Sequence, residues 1–314
     1  MRAVAVRAFR AEPELIEVPK PEPGEGEVLV KVEYAALNPF DWRAADGLLA
    51  GRVPHVFPLV MGSDFAGKVD VVGPGENRFR VGDAVFGQAG RPPVGTGTYA
   101  EYVTMPQDAA IAFVPDGLPL KTAALLPTAG MSAAQLLDAA GVHAGQSLLV
   151  IGAAGGVGSY LTQLAADRGS HVLAAVRGDE EHRMSALGAA VTLDTTTCDL
   201  SSAVRDACPD GVDALVDLVS PDSDSFTANA ALVRPGGRAL TTRSVAEPAR
   251  LPAGVEGVDF HLKASSALLD TLAAAAADGS LHAPVDAEYP LEKAPDALAQ
   301  NRAGGARGKT VFVL

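Results

Sequence analysis

The sequence predicts a two-domain α/β protein, in which a small, mostly antiparallel β-barrel accompanies a doubly wound parallel sheet. Its length of 314 residues suits two domains. Up to about residue 115 the chain reads as short strands broken by Gly and Pro. From about residue 120 onwards, segments of helical length rich in Ala and Leu alternate with short apolar runs. The first pattern is typical of a barrel and the second of a parallel sheet covered by helices.

Short alternating segments predict the barrel. Glu27–Tyr34 alternates with a period of two, as a half-buried strand does. Phe65–Val72 and Tyr99–Met105 are similar, and the turn at Val81-Gly82-Asp83 leads into a further strand.

Four apolar runs predict the strands of the parallel sheet: Ser147–Ile151, His171–Val176, Ala214–Leu218 and Arg238–Thr242. After a helix around Leu268–Ala277, the segments Val285–Leu291 and Thr310–Leu314 have strand character again. We expect them to return to the barrel, which makes the first domain discontinuous: residues 1–118 with 284–314, and 119–283 for the second.

Composition excludes several classes of function. The net charge is −13 without a cluster of Lys or Arg, so nucleic acid is not an expected partner. No stretch approaches the roughly 18 apolar residues of a membrane span, and the N-terminus lacks the apolar block of a signal peptide. The two cysteines, Cys198 and Cys208, have no partners at zinc-ligand spacing. We expect a cytoplasmic protein with a small-molecule substrate.

A glycine-rich turn follows the first strand of the second half and is the strongest local signal. It reads GAAGGVG over 152–158, with Ala153 at the first glycine of the G-x-G-x-x-G fingerprint. Gly152 supplies the tight turn, Gly155 admits a pyrophosphate, and Gly158 lets the helix pack on the strand. Free N–H groups at the helix start favour the phosphates. With Gly156 and Val157, this turn predicts a dinucleotide site.

The end of the second strand bears on the choice of dinucleotide. An acidic residue there would bind the ribose hydroxyl of NAD, but the chain has Val176 followed by Arg177. Arg177 favours the 2′-phosphate of NADPH, although Asp179 and Glu180 follow closely and an exposed arginine without a ligand is the alternative. Val219 and Thr242, at the ends of the next two strands, complete the predicted cofactor site.

Together, these motifs resemble the medium-chain dehydrogenase/reductase superfamily, in its zinc-independent quinone oxidoreductase branch. The matching segments span the chain: 36–42 (ALNPFDW), 62–67 (GSDFAG), 81–83 (VGD), 97–102 (GTYAEY), 126–130 (LPTAG), the glycine turn, 235–237 (PGG) and 308–309 (GK). The resemblance implies a GroES-like barrel and a Rossmann domain, with the site in the cleft between them, and a homodimer formed through the edge of the Rossmann sheet.

The positions that match the zinc ligands of related alcohol dehydrogenases carry Asn38, Ser63 with Asp64, and Thr128. Amide and hydroxyl groups are poor zinc ligands, so no metal is expected. Without a Lewis acid, the resemblance implies hydride transfer from NADPH to a quinone or an α,β-unsaturated carbonyl compound. Two alternatives stay open: an enoyl-thioester reductase of a biosynthetic pathway, and a non-catalytic NADPH-binding or sensor protein.

The resemblance also implies site residues. Asn38 is the candidate catalytic donor, unless it is only a turn residue before Pro39. Thr128 is expected beside the nicotinamide ribose and Ser132 near the pyrophosphate, unless both merely cap a helix. The candidate pocket residues are Phe40, Trp42, Arg43 and Ser63, of which the aromatic residues could serve packing and Arg43 could be exposed. Relatives often carry a Tyr shortly after this motif, whereas residues 42–49 contain none, which leaves water as the expected proton donor.

Overall fold

The computed structural model describes every residue from Met1 to Leu314. The chain forms two compact units, one made of Met1–Met131 with Ala264–Leu314 and the other of Ser132–Lys263.

The first unit is built on two sheets. A four-stranded sheet has the order β2-β1-β4-β7, and a seven-stranded sheet has the order β16-β17-β3-β5-β6-β9 with β8 also paired to β3. Most pairs are antiparallel, and the exceptions are β4 with β7 and β16 with β17. The strands are β1 Arg2–Val6, β2 Glu14–Glu17, β3 Glu27–Ala36, β4 His55–Val60, β5 Asp64–Val72, β6 Ala84–Gln88, β7 Val94–Thr96, β8 Tyr102–Pro106, β9 Ile111–Phe113, β16 Val285–Pro290 and β17 Lys309–Val313.

Inward-facing side chains of these strands form most of the core of the first unit. Phe65 and Phe312 are almost completely buried there, as is Phe79 from the loop between β5 and β6. Tyr99 packs edge-on against Phe312 with ring centroids 4.9 Å apart. The aromatic rings bring a large apolar area into the barrel interior and exclude water from the polar groups beside them.

The boundaries of the first unit depend on which helices pack against its strands. They are α1 Pro39–Ala45, α2 Leu120–Leu125, α8 Ser266–Ala277 and α9 Ala294–Ala303. The sequence placed the boundaries after residues 118 and 283. In the structure α2 packs on β3 and β5, and α8 packs on β9, so both helices belong to the first unit.

The second unit is a six-stranded parallel sheet with the order β12-β11-β10-β13-β14-β15. Its strands are β10 Ser147–Ile151, β11 His171–Val176, β12 Val191–Asp194, β13 Val212–Asp217, β14 Val233–Thr241 and β15 Glu256–Asp259. Its helices are α3 Pro127–Ala140, which begins in the first unit, α4 Gly156–Asp167, α5 Glu181–Ala186, α6 Leu200–Ala207 and α7 Ser223–Ala230. The predicted fold class, a GroES-like domain with a Rossmann domain, is confirmed.

One predicted strand starts later than expected. The backbone of residues 99–101 bonds to β1 of the four-stranded sheet: Tyr99 O accepts from Val4 N–H, and Glu101 N–H donates to Arg2 O. From Tyr102 the chain pairs with β3 instead. The alternating pattern is the same on both sides, so it does not reveal where the chain passes from one sheet to the other.

None of the nine α-helices is both long enough and apolar enough to span a bilayer.

Gly158, in the first turn of α4, has the closest backbone contacts among the glycines of the glycine-rich segment. A Cβ there would lie 2.4 Å from Gly152 O and 2.6 Å from Ala153 Cα, which are backbone atoms. We therefore expect Gly158→Ala to destabilise the protein by about 1–3 kcal/mol through overpacking. Urea unfolding followed by circular dichroism measures the change.

Gly155→Ala is the matched control, because a Cβ at Gly155 has no neighbour closer than 3.5 Å. Its unfolding midpoint should stay near that of the unchanged protein. Equal destabilisation by the two substitutions would contradict this account of the turn.

Candidate functional site

The glycine turn of the second unit has the geometry that dinucleotide binding requires. Gly152 has φ of +86°, a conformation that glycine adopts without strain. Gly158 sits against the backbone of the turn, whereas the space beside Gly155 is open. The turn leads directly into α4, whose first N–H groups are available to an anion. These residues fit the pyrophosphate of a dinucleotide.

The other predicted cofactor residues lie along the same edge of the sheet. The register places Ile151 beside Ala175 and Asp217, and Asp217 beside Thr241, so four strands end level. Val176 ends β11, and Arg177 and Thr242 directly follow β11 and β14. Val219 lies two residues after β13, and Gly152–Gly155 connect β10 to α4, which begins with Gly156 and Val157. A Cβ on Gly152 would lie 2.7 Å from Val219 Cγ1, so the Val219 side chain packs directly against the glycine turn.

Arg177 follows β11 as an exposed side chain that makes no hydrogen bond or ion pair in the structure. The neighbouring loop is fixed, because Asp194 accepts a hydrogen bond from Gly178 N–H at 2.8 Å. A guanidinium on a fixed loop at this edge is suited to bind a phosphate.

Arg183 is a second cation at the turn, which the sequence analysis missed. Its Nη2 donates to Ala154 O at 3.0 Å, and its Nε pairs with Glu180 at 2.6 Å. It lies in α5, outside the motif, so no spacing rule points to it. Arg183 joins α5 to the glycine turn.

In the first unit, a buried polar network forms where three neighbouring strands meet. Ala36 of β3 pairs with both Asp64 of β5 and Val311 of β17. This register brings together Asn38, Asp64 and Lys309, each at most 3% exposed. Lys309 Nζ donates to Asn38 Oδ1 at 2.5 Å and to Leu37 O at 2.8 Å, and it lies 3.5 Å from Asp64 Oδ2.

Lys309 and Asp64 are a buried ion pair. Burial lowers the pKa of the Lys309 ammonium, and the charge of Asp64 opposes that shift. Burial likewise raises the pKa of the Asp64 carboxyl, and Lys309 is the largest opposing influence. Each charge is therefore the main compensation for the other.

The amide of Asn38 lies between these two charges. Its Nδ2 donates to Asp64 Oδ2 at 2.9 Å, while Oδ1 accepts from Lys309. The second amide hydrogen has only a 3.5 Å contact with Ala36 O. The catalytic role of Asn38 stays a prediction.

Thr128 joins the same network at the start of α3. Its backbone N–H and its hydroxyl both donate to the Asp64 carboxylate, the hydroxyl at 2.6 Å. Gln88 Nε2 in turn donates to the Thr128 hydroxyl at 3.0 Å. Asp64 thus caps α3 from a distant strand. Ser132, one turn further along α3, is buried, and its predicted contact with a pyrophosphate stays a prediction.

A second buried cluster surrounds Asp41 of α1. Its carboxylate accepts hydrogen bonds from the Ser63 hydroxyl, from Tyr99 Oη at 2.6 Å and from Asn38 N–H at 2.8 Å. Burial raises the pKa of Asp41 to about 6, although these three donors favour the ionised form. Burial also raises the pKa of the Tyr99 hydroxyl well above its usual value, so it stays protonated.

A cavity of about 50 Å³, or about 460 Å³ with its open mouth, lies beside this cluster. Of the predicted pocket residues, Phe40 and Ser63 line it, together with Asp41. The remaining wall is mostly apolar or glycine: Ala44, Leu49, Leu59–Gly62, Ala89, Gly90 and Pro93–Gly97, with Arg91 as the cation.

Trp42 and Arg43 do not line this cavity. Trp42 instead packs towards α9, where its Nε1 donates to Asn301 Oδ1 at 3.0 Å and the Arg302 guanidinium lies 5.0 Å from its ring. The short helix α1 turns consecutive side chains in different directions, so Phe40 faces the cavity and Trp42 faces α9.

The positions that match zinc ligands do not suit a zinc ion. Asn38, Ser63 and Thr128 offer amide and hydroxyl oxygens, and Asp64 is already bonded to Asn38 and Thr128. The Lys309 ammonium lies within the same set and contributes a positive charge that would repel a metal.

Lys309 should be required for stability, because removing it would leave the Asp64 carboxylate buried without its cation. We expect Lys309→Met to lower the free energy of unfolding by about 3–5 kcal/mol. The measurement is urea unfolding at neutral pH, and Lys309→Met combined with Asp64→Asn should recover part of the loss.

Lys293→Met is the matched control. Lys293 forms an exposed pair with Asp296, and its loss should change stability by no more than about 0.5 kcal/mol. A Lys309→Met protein as stable as this control would contradict the role given to the buried ion pair.

Two family models match the chain: the alcohol dehydrogenase GroES-like domain over residues 24–116, and the zinc-binding dehydrogenase model over residues 187–312. Among curated proteins, the chain is 30% identical over 311 residues to a chloroplast envelope quinone oxidoreductase homolog of Arabidopsis thaliana, covering 95% of this chain and 93% of that protein. It is also 28% identical to a trans-enoyl reductase of Aspergillus terreus, covering 93% and 87%.

Solved structures agree over the whole chain. A mycobacterial protein in complex with NADPH superposes with a TM-score of 0.86 at 28% identity, and both chains are covered completely. A structure described as an NAD-dependent alcohol dehydrogenase has the same TM-score at 30% identity, again with complete coverage of both. The chain therefore belongs to the medium-chain dehydrogenase/reductase superfamily, in its quinone oxidoreductase-like branch, and is an oxidoreductase with an NAD(P)-binding fold.

Proposed function

We propose that this protein uses NADPH to reduce a quinone or an α,β-unsaturated carbonyl compound without a metal. The observation that carries the proposal is the set of residues at the zinc-ligand positions. Asn38 and Thr128 both donate to Asp64 there, and the cation beside Asp64 is Lys309.

This arrangement favours a conjugated acceptor over a simple alcohol or ketone. The Lys309 ammonium donates to Leu37 O and Asn38 Oδ1 and pairs with Asp64, so its N–H groups are already engaged and do not replace a metal that polarises a substrate oxygen. A conjugated acceptor spreads its developing charge to an oxygen that hydrogen-bond donors can stabilise. The second amide hydrogen of Asn38 is our candidate donor to that oxygen.

The composition of the cavity wall favours the same substrate class. Its wall is mostly apolar, with Phe40 as an aromatic surface and Ser63 and Asp41 as polar groups. A flat, conjugated ring or enone has the apolar faces and polar ends that such a lining binds.

The second unit would hold the cofactor, which supplies a hydride when bound. The glycine turn would hold its pyrophosphate at the start of α4, with Val219 and Thr242 beside it, and Arg177 would bind the 2′-phosphate. We further propose that Thr128 and Ser132 contact the cofactor. The relative solved with NADPH supports this choice, while the NAD-dependent relative makes it a point to test.

An enoyl-thioester reductase is the second candidate, and the trans-enoyl reductase relative favours it. Arg91 at the cavity is the one cation that could meet a phosphorylated acyl carrier, and it lies 3.3 Å from Asp108. Turnover of enoyl thioesters in preference to quinones would select this candidate. Tight NADPH binding without any turnover would instead support a sensor protein.

We also propose a cytoplasmic homodimer that associates through an edge of the six-stranded sheet. The edge strands β12 and β15 are short, with four residues each, and each leaves one side of its backbone unpaired within the sheet. Light scattering at micromolar concentration should give twice the mass of 32.0 kDa.

The reaction is tested by following NADPH oxidation with a panel of quinones, enones and enoyl thioesters. We expect turnover with at least one conjugated acceptor and none with simple ketones of similar size. Turnover of simple ketones alone, or of no compound in the panel, would contradict the proposed function.

Arg177 provides the test of cofactor choice. Charged hydrogen bonds contribute about 1.5–3 kcal/mol, so Arg177→Ala should weaken NADPH binding about tenfold or more and leave NADH binding unchanged. Isothermal titration measures both affinities. Arg205→Ala, an exposed arginine in α6, is the control and should change neither. An equal effect of Arg177→Ala on the two cofactors would exclude a phosphate contact.

A further inference from the structure

Reduction of a conjugated acceptor consumes one proton for each hydride, and the sequence shows no tyrosine at residues 42–49 to supply it. The cavity of the first unit shows which groups are placed to do so. Among its lining residues, Ser63 and Asp41 are the only ones that carry a hydroxyl or carboxyl group, apart from the exposed Thr96 at β7.

Ser63 and Asp41 are hydrogen-bonded to each other. The Ser63 hydroxyl donates to Asp41 Oδ1, while Tyr99 Oη and Asn38 N–H both bond Oδ2. Oδ2 is therefore occupied by Tyr99 and Asn38, and Oδ1 is the oxygen that is hydrogen-bonded to Ser63. Ser63 is 2% exposed and Asp41 is 3% exposed, so bulk water reaches them chiefly through the cavity.

We propose that Ser63 is the proton donor to the reduced substrate and that Asp41 supplies its proton. This inference rests on the proposed function, since it names the proton source for that reaction. Ser63 would be the catalytic residue, because it lines the cavity proposed to hold the substrate. Asp41 acts through it as a proton reservoir.

The proton transfer would start from the protonated Asp41 carboxyl. In that state Asp41 Oδ1–H would donate to the Ser63 oxygen, which reverses the hydrogen bond seen in the structure, and the Ser63 hydroxyl would donate to the substrate. When the cofactor supplies a hydride, the electron pair of the acceptor's π-bond would move to the conjugated oxygen, and that oxygen would take the proton of the Ser63 hydroxyl. The Ser63 oxygen would take the proton of the Asp41 carboxyl in the same step, and a proton from solvent would restore Asp41. The two electrons that the acceptor gains would arrive with the hydride.

The surroundings of Asp41 suit this role. Its pKa, raised to about 6 by burial, leaves a useful fraction of the carboxyl protonated near neutral pH. Three other titratable groups act on it: Asp64 raises its pKa, Tyr99 donates to it, and the Lys309 ammonium interacts with it electrostatically. Arg91 also lines the cavity, where it pairs with Asp108.

Ser63→Ala is the direct test, because it removes one hydroxyl and leaves the other partners of Asp41 in place. General acid catalysis contributes about 10²–10⁴-fold, so we expect kcat to fall by at least about 100-fold with unchanged NADPH affinity. The solvent deuterium isotope effect on kcat should change as well.

Ser147→Ala is the matched control. Ser147 is also buried and also donates its hydroxyl to a carboxylate, that of Asp213, at 2.9 Å, but it lies in β10 of the second unit. It should keep the kcat and the isotope effect of the unchanged protein. Comparable losses in the two variants would point to general loss of stability and would overturn the proposal.

The pH profile tests Asp41. Because only the protonated carboxyl can supply Ser63, kcat should decrease as the pH rises through about 6. Asp41→Asn should abolish this decrease, and a folded Asp41→Asn protein that keeps it would overturn the proposal.

Infrared titration of the protein alone gives a readout that does not depend on turnover. The band of the protonated Asp41 carboxyl, identified by its absence in Asp41→Asn, should disappear with a midpoint near pH 6. Ser63→Ala should move the midpoint to higher pH, because the Ser63 hydrogen bond favours the ionised form. An unmoved midpoint would show that the two groups are not coupled.

The outcomes separate the two proposals. If none of the acceptors in the panel supports NADPH oxidation by the unchanged protein, the proposed function fails. The infrared titration still shows in that case whether Ser63 and Asp41 are coupled. If it turns over and Ser63→Ala retains its kcat, the proposed function stands and the proton donor is not Ser63.

Discussion

The polar centre of the first unit depends on one buried ammonium group, that of Lys309. Taking an ammonium and a carboxylate out of water costs several kcal/mol for each ion. The contacts of Lys309 with Leu37 O, Asn38 Oδ1 and Asp64 offset that cost. These partners come from the entry to α1 and from β5, while Lys309 begins β17. The ammonium therefore holds three segments in one arrangement, since none of them can move without exposing a buried charge to an apolar surrounding.

Asn38 connects the ion pair of Lys309 and Asp64 to the cluster around Asp41. Its side chain bonds Asp64 and Lys309, and its backbone N–H bonds Asp41, which also receives the Ser63 and Tyr99 hydroxyls. Asn38 is thus the residue shared by both clusters. Displacing it would disturb the ion pair on one side and the carboxyl group that faces the cavity on the other.

The sequence predicts the fold and the glycine turn well, because both depend on local patterns. The parallel strands at Ser147–Ile151 and His171–Val176 have the bounds that the apolar runs predict. The spacing of Gly152, Gly155 and Gly158 likewise follows from the backbone contacts of a single turn.

The network around Lys309 could not be predicted in the same way. Lys309 and Asn38 are 271 residues apart, and strand register alone brings them together. The Gly308-Lys309 segment is one of those that resemble the family, but it does not indicate that Lys309 pairs with Asn38 and Asp64. Trp42 shows the converse: it lies within the motif expected to form the pocket, yet a contact with Asn301 directs its side chain to α9.

The residues at the positions that match zinc ligands bear on which acceptors the proposed reaction could use. A metal ion keeps an open coordination position and polarises a substrate directly. The Lys309 ammonium has no such freedom, since its contacts are all with this chain's own oxygens. Positive charge at the centre of the first unit thus stabilises the protein and positions Asn38. In the function proposed above, the substrate would supply its own delocalisation, and the protein would provide a hydrogen-bond donor and a proton. The groups proposed for these two roles are the amide of Asn38 and the hydroxyl of Ser63, one from each cluster.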